Sequence, residues 1–470
     1  MVPIIIHTAG TEVYGAFVLF MTFSGFFVTV SSLGLSHYCR RVLPAALTKQ
    51  DRHQLFWPQF WFQLFSISIL YLALLACYEL IYVESLAALS LDPLIVFAYT
   101  FFIVVFGQAA MYFRDTHQTV IFSMALVVGP YLSMLILLSL VYGGSLISLN
   151  TLILTSAIGY ALISQFLMVK IAREIRLGML LPDKRSFFKG VSFGLPLVAA
   201  GLLDVVLLSS DKLLIGSLLS VKDVGNYVPA YMIGAIILMV PKVILTVLYP
   251  YLSKACSEGT EVEAAEALKK LSQAYLMLAI PFVGGTAALS QDLLELYTNQ
   301  EIAKAGYLVV PLIAGSAIFS GLLMLKMAVL FVRGKTRYVL KVNVVMALTI
   351  VCLNIFLITL FERIWVCGIA AIICFSLGYY LVSLELRTDP LVRRYDRSWI
   401  ALISLLTVMM SVVLLLVRHY ILIELTLAHF ITLGLLGFIL YGLPAGSIYW
   451  ILYGRSDPNT LTEIAGRKLS

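Results

Sequence analysis

The stretch from Gly190 to Tyr227 reads GVSFGLPLVAAGLLDVVLLSSDKLLIGSLLSVKDVGNY. Residues 190–218 are apolar apart from a few serines, Asp204 and the Asp211-Lys212 pair. A helix needs about 20 mostly apolar residues to cross the hydrocarbon core of a bilayer, so this run predicts one crossing. The charged turn Lys222-Asp223 then leads into a second crossing that opens at Gly225. Read outward in both directions, the same alternation of long apolar runs and short polar connections fills the chain. The expected spans are 13–34, 59–80, 93–113, 119–142, 149–171, 190–218, 225–251, 272–291, 306–331, 338–360, 364–386, 398–417 and 428–453.

Composition points the same way. The 470 residues are 61% hydrophobic and only 12% charged, with a mean hydropathy of +0.99. Soluble chains carry about 25% charged residues, so a water-soluble enzyme or a nucleic-acid binder is excluded. The connections leave no room for a soluble catalytic domain. No cleavable signal-peptide pattern precedes the first span. The six cysteines, Cys39, Cys77, Cys256, Cys352, Cys367 and Cys374, lie mostly in apolar runs. Their spacing gives neither a metal site nor a disulfide framework.

Basic residues set the orientation, because cytoplasmic loops carry an excess of Lys and Arg. Twenty-five of the 32 Lys and Arg fall in one set of alternate connections and the tail, among them Arg40, Arg41, Lys184, Arg185, Arg333 and Arg393. The opposite connections hold five: Lys212, Lys222, Lys304, Arg363 and Arg418. Such an asymmetry would be scrambled by one miscounted span. It places the C-terminus on the cytoplasmic side. Within one cytoplasmic connection, Thr260 and Glu263 have capping-box spacing. Acids lead that segment and Lys269-Lys270 close it, which predicts a short helix over 260–271 ahead of the span at 272.

An internal repeat is visible. Glu12-Val13-Tyr14-Gly15-Ala16-Phe17 and Lys222-Asp223-Val224-Gly225-Asn226-Tyr227 are both charged turns running into Gly and then an aromatic that opens a span. The second copy has a full span before its glycine; the first has only the stub Met1 to Ile6. The expectation is therefore a truncated first span, whose restoration gives fourteen with both ends cytoplasmic.

Ser192-Phe193-Gly194-Leu195-Pro196-Leu197, Ser210-Asp211-Lys212-Leu213-Leu214-Ile215-Gly216, Val224-Gly225-Asn226-Tyr227 and Leu248-Tyr249-Pro250 together resemble the middle of the polysaccharide (O-antigen type) flippase family. Near the amino terminus, Glu12 to Phe17, Leu33-Gly34-Leu35 and Arg40-Arg41 before Pro44 resemble the corresponding family stretch. The family belongs to the multidrug/oligosaccharidyl-lipid/polysaccharide exporter superfamily. The resemblance implies an all-α polytopic membrane protein with two six-helix lobes around a central cavity and an extra C-terminal helix pair. Thirteen full transmembrane helices and a truncated first one map onto that plan. The lobes fall at 1–171 and 190–386, joined by a basic cytoplasmic linker at 172–189 and followed by the additional pair and tail at 387–470. The implied substrate is an undecaprenyl-diphosphate-linked oligosaccharide crossing the bacterial inner membrane. The implied partners are a polysaccharide polymerase and chain-length machinery; no nucleic acid is involved.

No nucleotide-binding loop of the form GxxxxGK[ST] occurs, so transport is facilitated or coupled to H⁺, Na⁺ or the membrane potential. No catalytic residue, metal site or other cofactor is expected. The informative residues are ionisable ones within spans, each costing about 2.5–3.5 kcal/mol at a helix centre. Asp204 and Asp211 are seven apart and share one helix face. Either could carry a coupling ion; Asp211-Lys212 reads equally as a pair near the outer headgroups. Lys242, beside Pro241, and Lys326 are cationic counterparts suited to a lipid diphosphate. Lys326 could instead snorkel toward the interface.

The remaining polar residues have blander readings. Asn343, Asn354 and Gln108 read as interhelical hydrogen-bonding positions. Pro130, Pro241, Pro281 and Pro311 suggest kinks, and Trp57, Trp61, Trp365, Trp399 and Trp450 mostly interfacial belts. Two rival functions remain. An ion-coupled multidrug antiporter of the same superfamily would use the carboxylates. An integral-membrane glycan polymerase or transferase would need a large outer loop and catalytic acids, for which Asp292 and Glu295 are the nearest pair.

Overall fold

The architecture is a computed structural model that describes residues 2–46, 48–76, 91–144, 146–178, 184–393, 397–420 and 427–447. Cys77, Arg394, Arg455, Arg467, Lys468, Trp450 and the far ends of the spans expected at 59–80 and 428–453 lie outside the described residues. Among the described residues there are helices and no strands. This is what hydrocarbon demands, since a helix satisfies its own backbone hydrogen bonds. Among the described residues twelve helices are long and apolar enough to cross a membrane, and Ile431–Ser447 is a shorter apolar helix. The chain is a multi-pass membrane protein, and these thirteen segments coincide with the expected spans.

By compactness the chain forms two units, Met1–Val228 and Pro229–Ser470. The first begins with α1 (Val2–Ala9), α2 (Thr11–Ser31), α3 (Leu35–Val42) and α4 (Lys49–Ala76). It continues with α5 (Pro93–Asp115), α6 (Thr119–Tyr142), α7 (Leu149–Ile175) and α8 (Lys184–Leu218), and ends inside α9 (Val221–Ala235). Local chemistry sets several helix starts. The Asp92 carboxylate accepts from the Leu94 N–H at 2.8 Å with Pro93 at the first helical position, and Ser148 Oγ accepts from the Thr151 N–H at 3.2 Å. The core joins Phe56, Trp57 and Phe60 of α4 to Tyr112 and Phe113 of α5 and Leu167 and Ile171 of α7. Trp57 is fully buried and donates its indole N–H to the Arg176 carbonyl at 2.8 Å; Trp61 donates to that of Gly178 at 2.8 Å. Trp57 is therefore a core residue rather than a belt residue, its one donor satisfied by backbone at the start of the linker.

The two copies of the repeat meet inside this unit. A Cβ on Gly15 would overlap the Val221 carbonyl oxygen, and one on Gly225 would overlap that of Thr11. At the other end of α2, Gly34, with φ +83°, lies directly against Gly194 of α8, each in the space a Cβ of the other would need. Grouping by repeat puts α8 in a second lobe; compactness puts it in the first unit, because it packs along α2 and α3.

The second unit contains α10 (Met239–Glu258), α11 (Glu261–Tyr297), α12 (Gln300–Gly306) and α13 (Val309–Val332). After these come α14 (Thr336–Phe361), α15 (Val366–Glu385), α16 (Arg397–Tyr420) and α17 (Leu427–Gly437), which runs into a π-turn at 438–442. Helix α13 is its axis, packed against α10, α11, α14 and α15. Tyr275 of α11 is fully buried and donates its hydroxyl to the Ala317 carbonyl at 2.6 Å. Trp399 is likewise buried in this core.

Two local expectations are corrected. The short helix at 260–271 is not separate: it is the first third of a continuous α11 of 37 residues. Thr260 makes no side-chain cap, and no Gly or Pro interrupts 261–280, so nothing stops the helix from running on. Pro311 lies in the first turn of α13, where its missing N–H costs no helical bond. Pro241 does mark a break. It cannot donate to the Ile237 carbonyl, and residues 236–238 tighten into a 3₁₀ turn.

Gly194→Val is expected to destabilise the protein by about 1–3 kcal/mol through overpacking. Gly285→Ala, where a Cβ would meet only Met410 Cε at 3.9 Å, is expected to be tolerated. Thermal unfolding of the two purified variants in detergent checks the contrast.

Candidate functional site

Each sequence-predicted site residue has a distinct environment within its own unit. Asp204 is exposed on α8, about 21 Å by helical rise from the Leu218 end. Among the described residues no side chain pairs with it. One turn pair further along, Asp211 is buried. Its Oδ2 accepts from the Tyr227 hydroxyl at 2.6 Å, and its Oδ1 lies 3.7 Å from Lys212 Nζ. Lys212 Nζ also donates to the Leu208 carbonyl at 2.7 Å. Ser210 Oγ and Asn226 Oδ1, on the residues next to Asp211 and Tyr227 in sequence, are buried without a hydrogen-bond partner among the described residues. The two aspartates thus share a helix but not a setting. One is bare; the other is held by a phenol and an ammonium group.

In the second unit Lys242 is exposed on α10, about 24 Å by helical rise from the Glu258 end and one residue past Pro241. It too has no partner among the described residues. Lys326 on α13 is buried at 7% exposure. Its Nζ donates to Ser383 Oγ at 2.7 Å and stands 4.1 Å from the centre of the Tyr379 ring, a cation–π contact. No carboxylate pairs with it among the described residues.

Sequence reasoning missed several partners. Gln59 donates to Gln108 at 2.9 Å, Gln108 donates to Gln63, and Gln63 donates to Ser31 Oγ at 3.2 Å. This amide chain ties α4 to α5 and α2. Arg333 forks onto two carboxylates: to Glu261 at 2.7 and 3.0 Å, and to Asp389 at 2.9 and 3.0 Å. It thereby ties the end of α13 to the start of α11 and the segment after α15. Hydrogen bonds donated to Glu261 and then to Asp389 push the Arg333 guanidinium further toward its charged form. Burial pushes the Asp389 carboxyl up, but the Arg333 hydrogen bonds and the Leu391 N–H outweigh it and hold the group below the ordinary carboxylate range. At the opposite end of the unit Arg418 forks onto Asp292 at 2.6 and 3.0 Å. Asp292 therefore has both oxygens engaged by a structural ion pair.

Among the described residues no group of His, Cys, Asp or Glu could hold a metal ion. An apolar cleft of about 320 Å³ lies between α11, α13 and α16, lined by Ile280, Gly284, Ile318, Thr407, Ser411 and Leu415.

Residues 1–256 match the family described as polysaccharide biosynthesis protein. No curated protein matches the sequence. Among solved structures, the chain is similar to a lipid II flippase, MurJ, in an inward closed conformation. The TM-score is 0.63 at 14% identity, covering 95% of this chain and 98% of that one. It is also similar to an inward-facing multidrug resistance MATE family transporter of the MOP superfamily. There the TM-score is 0.59 at 15% identity, covering 83% of this chain and 94% of that one. At these identities the likenesses establish a shared fold.

Arg333→Gln strands two carboxylates, and a loss of about 2 kcal/mol is expected from the charged hydrogen bonds removed. Because the folded-state pKa of Asp389 is depressed, its contribution is full above the ordinary Asp value near ~3.9 and is lost as pH falls through the folded value. The difference in melting temperature between wild type and the variant should therefore be largest near neutral pH and shrink in acid.

Proposed function

The chain belongs to the polysaccharide biosynthesis protein family, and from that premise we propose that it is a flippase for an undecaprenyl-diphosphate-linked oligosaccharide. The unit it moves is an O-antigen or a related surface-polysaccharide repeat. It carries the lipid-linked sugar from the cytoplasmic to the outer leaflet of the bacterial inner membrane by alternating access, and it catalyses no bond change. The product is released to the polymerase and chain-length machinery outside. The shared fold with a lipid II flippase supports a lipid-diphosphate cargo.

One observation carries the reading: Asp204 and Lys242 stand exposed and unpaired deep within their spans. A bare charge facing hydrocarbon there costs about 2.5–3.5 kcal/mol, whereas one facing water costs little. Each therefore lines a hydrated path. Lys242 offsets the negative charge of the diphosphate during passage. Asp204 can take a proton or Na⁺ and so link the cycle to an ion gradient. Asp211, bonded by Tyr227 and close to Lys212, holds the outer end of α8 in register, and both belong to the same ion-coupling candidates. The cytoplasmic C-terminus follows from the Lys/Arg asymmetry of the connections.

A deletion strain should lose its surface glycan and accumulate the lipid-linked unit on the cytoplasmic side. Asp204→Asn and Lys242→Gln, expressed at normal levels, should each restore about tenfold less glycan than wild type, the effect of losing one charged contact. Normal glycan in the deletion strain, together with hypersensitivity to cationic drugs, would instead identify the multidrug antiporter.

A further inference from the structure

At the Lys/Arg-rich end of the second unit, Lys269 and Ser272 of α11, Lys326 of α13 and Arg393 line one small cleft with Leu268 and Val392. Three of these six residues are cations. Arg393 is paired at the rim with Glu266 at 3.0 Å. Lys269 is half-buried and, among the described residues, has no partner. Lys326 is buried at the base, fixed by the Ser383 hydroxyl and the Tyr379 ring rather than by a carboxylate. A hydroxyl and a ring face offset desolvation of an ammonium group only in part. Two uncompensated positive charges therefore converge on one opening.

Depth narrows the choice of anion. Lys326 is about 9 Å by helical rise from the Val332 end of α13, and Lys269 about 12 Å from the Glu261 start of α11. Both lie toward the Lys/Arg-rich ends of their helices, the ends that the asymmetry of basic residues assigns to a membrane surface. The whole cleft, about 10 Å³, holds roughly one water. A phosphate would thus sit at the mouth, with its oxygens toward the two ammonium groups; the Ser272 hydroxyl is buried and already donates to the Leu268 carbonyl at 2.7 Å.

We propose that Lys269, Lys326 and Arg393 form a binding site for the phosphate of a lipid headgroup in the leaflet on the Lys/Arg-rich side. The site takes the phosphate chemistry, whichever lipid bears it, and does not depend on the transport reading. Lys269 and Lys326 supply charge-assisted hydrogen bonds, which are the strong class for phosphate oxygens. Arg393 exchanges Glu266 for the lipid at the rim.

Native mass spectrometry of the full chain in dodecyl maltoside, titrated with phosphatidic acid and separately with inorganic phosphate, tests this. Wild type should retain one tightly held phosphatidic acid. Lys326→Met and Lys269→Met should each weaken it about tenfold, the value of one charged contact. Lys326→Arg should keep it, and Lys341→Met, an exposed cation on α14, should leave it unchanged. If Lys326→Met fails to fold, Lys269→Met decides the matter alone. Retention unaltered in the Met variants overturns the site. Displacement of the lipid by equimolar inorganic phosphate overturns the lipid as its source.

Discussion

A charged side chain within a bilayer has three ways to exist: against an opposite charge, inside a shell of hydrogen-bond donors or acceptors, or in water. The charges of this protein sort cleanly by that constraint. At the helix ends, Arg333 and Arg418 take carboxylates in forked pairs. Asp211 combines the first two solutions, with Tyr227 on one oxygen and Lys212 near the other. Lys326 uses a hydroxyl and a ring. Among the described residues Asp204 and Lys242 use neither of the first two, and the proposed function gives them the third.

Close packing constrains the first unit as firmly as charge does. Helices in lipid gain little from the hydrophobic effect and associate by close contact, for which small residues at crossings are suited. Gly15 with Gly225, and Gly34 with Gly194, provide those contacts at the two ends of α2. Gly15 and Gly225 belong to the two motifs that reveal the repeat. The repeat is thus more than a trace of duplication: it places a glycine of each copy where the two copies touch.

Much of this was legible in the chain because hydropathy and the sidedness of Lys and Arg are one-dimensional signals. The span count, the break at Pro241 and the placing of Asp204 and Lys242 within spans needed no tertiary information. What was hidden is long-range. Glu261 lies 72 residues from Arg333 and Asp389 56 residues from it, and nothing local announces either pair. Ser383 is 57 residues from Lys326. Tyr227 was in plain view, yet its role as donor to Asp211 depends on how α8 and α9 fold back over 16 residues. The helix at 260–271 was misjudged for the opposite reason: a capping pattern looked like a boundary, while the absence of any helix breaker after it was the stronger signal.

The central claim is that Asp204 and Lys242 face water in the depth of the membrane. Single cysteines at the two positions, in a chain whose six native cysteines are replaced, can be probed with a membrane-impermeant charged thiosulfonate in intact and in permeabilised cells. The account predicts that both are labelled, while Val127→Cys on the exposed apolar face of α6 is not. Labelling of Asp204→Cys and Lys242→Cys only by a lipid-soluble maleimide, as at Val127, would contradict it.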